Sequence, residues 1–177
     1  VLPRGLYIWG GVGRGKSFVM DCFYAASPVE KKIRIHFHEF MREVHRELHE
    51  LSGMADPLDE LAKRISQRFR LICFDEFHIN DIADAMILYR LLSALFEDRV
   101  QFVMTSNYRP DQLYPNGLHR DRLIPAIKLL EDQLDVLNLD AGNDYRRLQM
   151  AQVEAYLTPA NAETQVKLGQ MFQTLIG

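Results

Sequence analysis

Residues Gly10 to Ser17 read G-G-V-G-R-G-K-S, a match to G-x-x-x-x-G-K-[ST]. The apolar run Leu6-Tyr7-Ile8-Trp9 precedes it and Phe18-Val19-Met20 follows, so a strand is predicted to enter the loop and a helix to leave it. A glycine-rich turn lets successive backbone N–H groups point at a polyanion, and the helix N-terminus adds its partial positive charge. An ordinary strand-to-helix turn has no need of four glycines followed by Lys-Ser. On this reading Gly10, Gly11, Val12, Gly13, Arg14, Gly15, Lys16 and Ser17 cradle the phosphates of ATP. Lys16 is expected to reach the β and γ phosphates, and the Ser17 hydroxyl to hold Mg²⁺.

The rest of the chain alternates short apolar runs with longer amphipathic ones, the pattern of a parallel sheet with crossover helices. Strands are predicted at Leu6–Trp9, Ile33–Phe37, Leu71–Phe74, Gln101–Thr105 and Leu134–Leu139. The helix opened by Lys16 is expected to turn Phe18, Val19, Cys22 and Phe23 toward the sheet. A second helix carries Phe40, Val44, Leu48 and Leu51 at helical spacing, and residues 57–68 form a shorter one. Asn80 or Asp81 caps a long helix rich in Ile82, Met86, Ile87, Leu91, Leu92 and Leu95. Asn107 to Asp111 is a polar loop that leads to helical material through Leu130. After residue 144 the pattern changes: Tyr145–Met150 and Glu154–Thr158 read as short extended segments, and a last helix runs from Asn161 to Leu175. The predicted organisation is an α/β core over 1–144 and the start of a further region over 145–177. Only nine residues precede the loop, which reads as a shortened N-terminus.

Hydrolysis needs a placed metal and an oriented water. The apolar strand Leu71-Ile72-Cys73-Phe74 ends in Asp75-Glu76, which sets Asp75 at the sheet edge beside the loop, within reach of the Mg²⁺ shell. Glu76, one residue further, is placed to polarise the attacking water. The strand that ends Thr105-Ser106 brings the Asn107 amide to the same edge, where it is expected to sense the γ-phosphate. Arg120 and Arg122 precede the fifth strand. Surface arginines are the ordinary explanation, and the alternative is a finger that reaches a neighbouring subunit's ATP.

Other patterns carry less. Leu51-Ser52-Gly53-Met54 resembles a transporter-ATPase signature but lacks its second glycine and its glutamine. His45 and His49 are spaced to share a helix face, yet no third zinc ligand accompanies them. His36 and His38 are expected on one face of the second strand, as core-edge or partner-binding residues. Asp75-Glu76-Phe77-His78 spells a helicase box in a chain with a single such domain. A net charge of −3 gives no footprint for non-specific nucleic-acid binding. Cys22 and Cys73 fall in apolar runs and are expected to be buried, reduced thiols. No stretch is long and apolar enough to span a bilayer.

The phosphate loop resembles that of the AFG-type family of AAA+ ATPases. So do Ile35-His-Phe-His-Glu-Phe-Met41, C-F-D-E-F at 73–77, D-I-A-D-A-M at 81–86 and T-S-N at 105–107. Leu113-Tyr-Pro-Asn-Gly-Leu-His-Arg120 and Asp140-Ala-Gly-Asn-Asp-Tyr-Arg146 extend the likeness over essentially the whole chain. It is strongest to the bacterial cell-division members, relatives of mitochondrial ATPases linked to protein quality control. The resemblance implies an AAA+ sheet in the order 5-1-4-3-2. Lys16 and Ser17 then belong to the first Walker motif, Asp75 and Glu76 to the second, Asn107 to the first sensor, and Arg122, or else Arg120, to the finger. It also implies a nucleotide-dependent homo-oligomer in the cytoplasm, at the division site or peripheral to the inner membrane, that acts on the tubulin-like FtsZ or another protein. A loader-type ATPase on nucleic acid, a quality-control ATPase and a nucleotide-binding module with little turnover are the alternatives. Family members continue into a lid with a second-sensor arginine, for which this sequence offers no match.

Overall fold

The structure, a computed structural model, describes residues 4–140, which fall within the first of two units, Val1–Ala141 and Gly142–Gly177. The readings placed on Tyr145–Met150, Glu154–Thr158 and the last helix lie outside the described residues. Five strands, β1 (Gly5–Trp9), β2 (Lys32–His36), β3 (Leu71–Asp75), β4 (Gln101–Ser106) and β5 (Leu134–Asn138), form one sheet in the order β2-β3-β4-β1-β5. Every pairing is parallel, and the order is the predicted one. All five strands therefore deliver their carboxyl ends to one edge, the place where open α/β sheets bind ligands.

The helices are α1 (Lys16–Ala26), α2 (Phe37–Glu50), α3 (Pro57–Arg68), α4 (Ile82–Glu97) and α5 (Ile124–Gln133), with short 3₁₀ turns at Pro110–Gln112 and Arg120–Leu123. Local chemistry explains their starts. Asp56 accepts from the Asp59 N–H at 3.3 Å ahead of Pro57, and Asp81 accepts from the Ala83 N–H at 2.8 Å. Each carboxylate meets an N–H that the helix itself leaves unpaired. Of the two caps considered for α4, Asp81 is the one used.

Strand alternation sorts the core into two layers. Tyr7, Ile72, Phe74, Phe102 and Met104 pack with the buried faces of α2, α3, α4 and α5 in one large cluster. Ile8, Leu71, Cys73 and Val103 face the other way and meet Met20 of α1 in a cluster of five buried residues. Every residue of β3 is buried, as a strand covered on both faces requires.

Three expectations are corrected: the face of α1, the burial of Cys22, and the shared strand face of His36 and His38. Phe18, Val19, Cys22 and Phe23 do not face the sheet: Met20 is buried, Phe18 is 71% exposed, and Cys22 is exposed as well. The contacts of α1 with the sheet come from Ser17, Met20, Asp21 and Tyr24, at i, i+3, i+4 and i+7: Ser17 and Asp21 meet the side chains of Asp75 and Arg34, and the Tyr24 hydroxyl donates to Lys32 O. Apolar periodicity finds the wrong phase because the opposing sheet face is itself half polar. His36 and His38 do not share a strand face, since β2 ends at His36 and α2 begins at Phe37. Along α4, whose buried face is not assigned from sequence, Met86 is half exposed and Ala85 and Leu88 are buried.

Candidate nucleotide and metal site

β1 runs straight into the phosphate loop. Gly13 and Gly15 have φ of 80° and 82°, the left-handed region that side chains resist. Gly15 is the N-cap of α1 and, lacking a side chain, leaves the first N–H groups of the helix uncapped. The first bond inside the helix is Val19 N–H to Gly15 O at 3.0 Å, so the amides of Lys16, Ser17 and Phe18 precede it. A Cβ built on Gly15 would have no atom within 4 Å, so the space beside Gly15 is open. The first turn of α1 holds no acidic residue. Together these features leave a run of uncapped amide donors suited to a polyanion.

The Lys16 ammonium spans the loop, donating to Gly10 O and Gly11 O at 2.7 Å each. Burial lowers its pKa from the ordinary lysine value, and the nearby Asp140 and Asp75 carboxylates counter part of that effect. From the next position the Ser17 hydroxyl donates to Asp75 Oδ1 at 2.9 Å. Asp75 ends β3 with its side chain 3% exposed, and every approach to it is occupied. Oδ1 also accepts from Thr105 Oγ1 at 2.5 Å and from the Glu76 N–H at 3.1 Å, while Oδ2 accepts from Arg34 Nη2 at 2.8 Å. Burial alone would push this carboxyl up. The hydrogen bonds from Thr105 and Ser17 and the charge of Arg34 outweigh it and hold the group below the usual carboxylate value.

The oxygen donors fit a magnesium ion. The Ser17 oxygen keeps lone pairs for a cation while its hydrogen is donated to Asp75 Oδ1, and Asp75, already filled by hydrogen bonds, would act on the cation's shell through Ser17 and a bound water. Among the described residues no group of three or more His, Cys, Asp or Glu could hold a metal. A cation here would take its other ligands from phosphate oxygens and water, as Mg²⁺ commonly does.

Glu76 follows with φ of 54°, a left-handed conformation uncommon for a side chain of this kind. Its N–H is held by Asp75 Oδ1 and Thr105 Oγ1, both at 3.1 Å, so the turn is fixed while the carboxylate projects outward, 67% exposed. Glu76 Oε2 lies 3.7 Å from His36 Nδ1 at the end of β2. Asn107 is exposed one residue beyond β4; its neighbour Ser106 pairs with Trp9 and accepts from the Gly10 N–H at 3.2 Å. The structure thus brings the loop, Ser17, Asp75, Glu76 and Asn107 to one sheet edge. The two arginines lie on the turn Arg120–Leu123, just ahead of α5. Arg120 Nε donates to Leu113 O at 3.2 Å, and its guanidinium also donates to Asp111 O, whereas Arg122 is exposed.

Sequence reasoning assigns no site role to Arg34, Thr105 or Asp140. Arg34 bridges Asp75 and Asp21, whose carboxylate is 2.5 Å from its Nε. Period-two alternation placed Arg34 on the face of β2 that ends at His36, and that signal was available. Asp140 follows β5 at the same carboxyl edge as Asp75 and Asn107, so the strand-end argument applied equally to it.

Comparisons with known proteins agree with this geometry. The profile of the AFG1-like ATPase family matches residues 1–177. The cell division protein ZapE of Escherichia coli is 48% identical over 174 residues, covering 98% of this chain and 46% of that protein. The chain thus spans about half the length of the curated relatives it matches. Among solved structures, domain III of the Thermotoga maritima replication initiation protein DnaA superposes with a TM-score of 0.60 at 20% identity. That match covers 84% of this chain and 59% of the DnaA chain. AMPPCP-bound DnaA from Aquifex aeolicus superposes at 0.56 with 14% identity, covering 88% and 48%. These likenesses show the fold, a P-loop AAA+ core.

Proposed function

The chain belongs to the AFG1-like ATPase family, and on that premise we propose that it binds ATP with Mg²⁺ and hydrolyses it. The observation that carries the reading is the 2.9 Å contact of Ser17 with Asp75 beside an uncapped, glycine-started helix. Loop amides and Lys16 bind the phosphates, and Ser17 with Asp75 places the cation. When bound, the magnesium ion offsets charge on the phosphate oxygens and fixes their geometry. Glu76 takes the proton from the attacking water; its backbone is fixed and its carboxylate, beside His36, faces solvent. Asn107 lies where an uncharged amide can hydrogen-bond the γ-phosphate or that water.

Arg122 is the better candidate for a finger supplied to a neighbouring subunit, because Arg120 is already engaged with carbonyls of its own chain. On this reading the active form is a homo-oligomer, and the rate per subunit rises with protein concentration. The cycle acts on a protein partner. The likeness to a cell division protein supports a target at the bacterial division site, with FtsZ polymers the first to test. No described helix is long and apolar enough to cross a membrane, which accords with a cytoplasmic or peripheral location.

The deciding experiment is phosphate release by the full-length protein with Glu76→Gln. Loss of about 100-fold or more in turnover, with ATP still bound, is expected for a removed general base. Near-normal turnover would remove Glu76 from its role. Salt-sensitive stimulation by DNA, with none by FtsZ polymers, would move the reading to a loader-type ATPase.

A further inference from the structure

The end of β5 lies against the phosphate loop. β5 pairs with β1 as far as Trp9 opposite Asn138, and Leu139 N–H continues the ladder to Trp9 O at 2.8 Å. That register carries Asp140 alongside Gly11. There Asp140 Oδ1 accepts the Gly11 N–H at 2.8 Å and lies 3.1 Å from Arg14 Nε. Asp140 is itself fixed, its own N–H donating to Asn138 Oδ1 at 2.7 Å. The fit is close: a Cβ on Gly10 would lie 3.2 Å from Asp140 Oδ1, and one on Gly11 3.5 Å from it.

A carboxylate is an unexpected neighbour for a polyanion site, since it repels the ligand the loop is shaped to hold. Its cost is reduced by Arg14, which brings a positive charge to the same oxygen. What Asp140 supplies is a fixed acceptor that engages the Gly11 N–H and holds the first half of the loop to the sheet edge. The second half is already fixed by α1, so the two anchors together define the curvature of the loop.

We propose that Asp140 is a positioning residue for triphosphate binding, acting through its hydrogen bond to the Gly11 amide. The inference rests on the loop being the phosphate site. Asp140 has no part in proton transfer or metal placement, so its loss should act on affinity and spare the chemical step. Preorganisation of a loop lowers the ordering cost of binding, and losing it raises Kd and KM together.

The test uses the full-length protein with Asp140→Ala and Asp140→Asn. Titration with a fluorescent ATP analogue and steady-state hydrolysis are both measured. Asp140→Ala should weaken binding about tenfold and raise KM by a similar factor, with kcat within about threefold of wild type. Asp140→Asn keeps an acceptor oxygen for Gly11 and should bind within about threefold of wild type. Wild-type affinity in the alanine variant would overturn the inference, as would a fall in kcat at unchanged KM. Equal loss in both variants would also overturn it, since charge would then be the cause and the hydrogen bond would not. Failure of the wild type itself to bind the analogue would overturn the phosphate-site reading, and this inference with it.

Discussion

The two faces of β3 are made by alternate residues of one short strand, and they do different work. Ile72 and Phe74 point into the large cluster with α2–α5, where Phe74 meets the rings of Phe37, Phe40 and Phe102. Leu71, Cys73 and Asp75 point toward α1, where the apolar layer is thin and gives way to charge at the carboxyl edge. Along β2 the same side carries Lys32, which donates to Tyr24 O and Ser27 O, and Arg34, which pairs with Asp21 and Asp75. One side of the sheet holds the fold together and the other holds the chemistry. A parallel sheet buried on both sides can separate the two within successive residues.

The separation is sharpest if neighbouring residues fail in different ways. Phe74→Ala should cost about 3–5 kcal/mol of folding free energy, read by urea denaturation, because a fully buried ring leaves a cavity. The folded fraction should still bind nucleotide normally. Asp75→Asn should lower ATP hydrolysis about 100-fold, equivalent to about 2.7 kcal/mol in the barrier. Its stability should fall by much less than that of Phe74→Ala. If the two substitutions had interchangeable effects, the division of labour between the faces would be broken.

A smaller effect concerns acid. The Asp75 carboxyl titrates below its ordinary value in the folded protein, so its stabilising contribution is complete above the usual carboxylate range. That contribution is lost as pH falls through the lowered value. Replacing Arg34 with methionine removes one of the groups that hold it down. The acid-unfolding midpoint of Arg34→Met, followed by circular dichroism, should therefore move to higher pH. An unchanged midpoint would mean that Thr105 and Ser17 suffice without the charge.

Much of this arrangement was legible in the chain. Gly15, Lys16 and Ser17 announce the loop, and the step from Phe74 to Asp75 marks where an apolar strand reaches the site. Sheet order followed from the family likeness, since periodicity alone gives strands and not their neighbours. The orientation of α1 was not legible. Its exposed apolar residues, Phe18 and Phe23 among them, outnumber the buried Met20, and its inward positions are polar because their partners across the sheet are polar. Arg34 shares the His36 face of β2 by alternation, but its pairing with Asp75 depends on β2 lying beside β3, which periodicity does not give. The strand-end argument brings Asp140 to the edge, but its seat against Gly11 rests on the register of β5 against β1, which only three-dimensional structure supplies.

The backbone of Glu76 sets two selective pressures against each other. A non-glycine residue in that conformation costs on the order of 1–3 kcal/mol, so Glu76→Gly would relax the turn while deleting the carboxylate on which the proposed turnover depends. A search for thermostable variants that never assayed phosphate release would favour this replacement and select a sturdier protein without its chemistry.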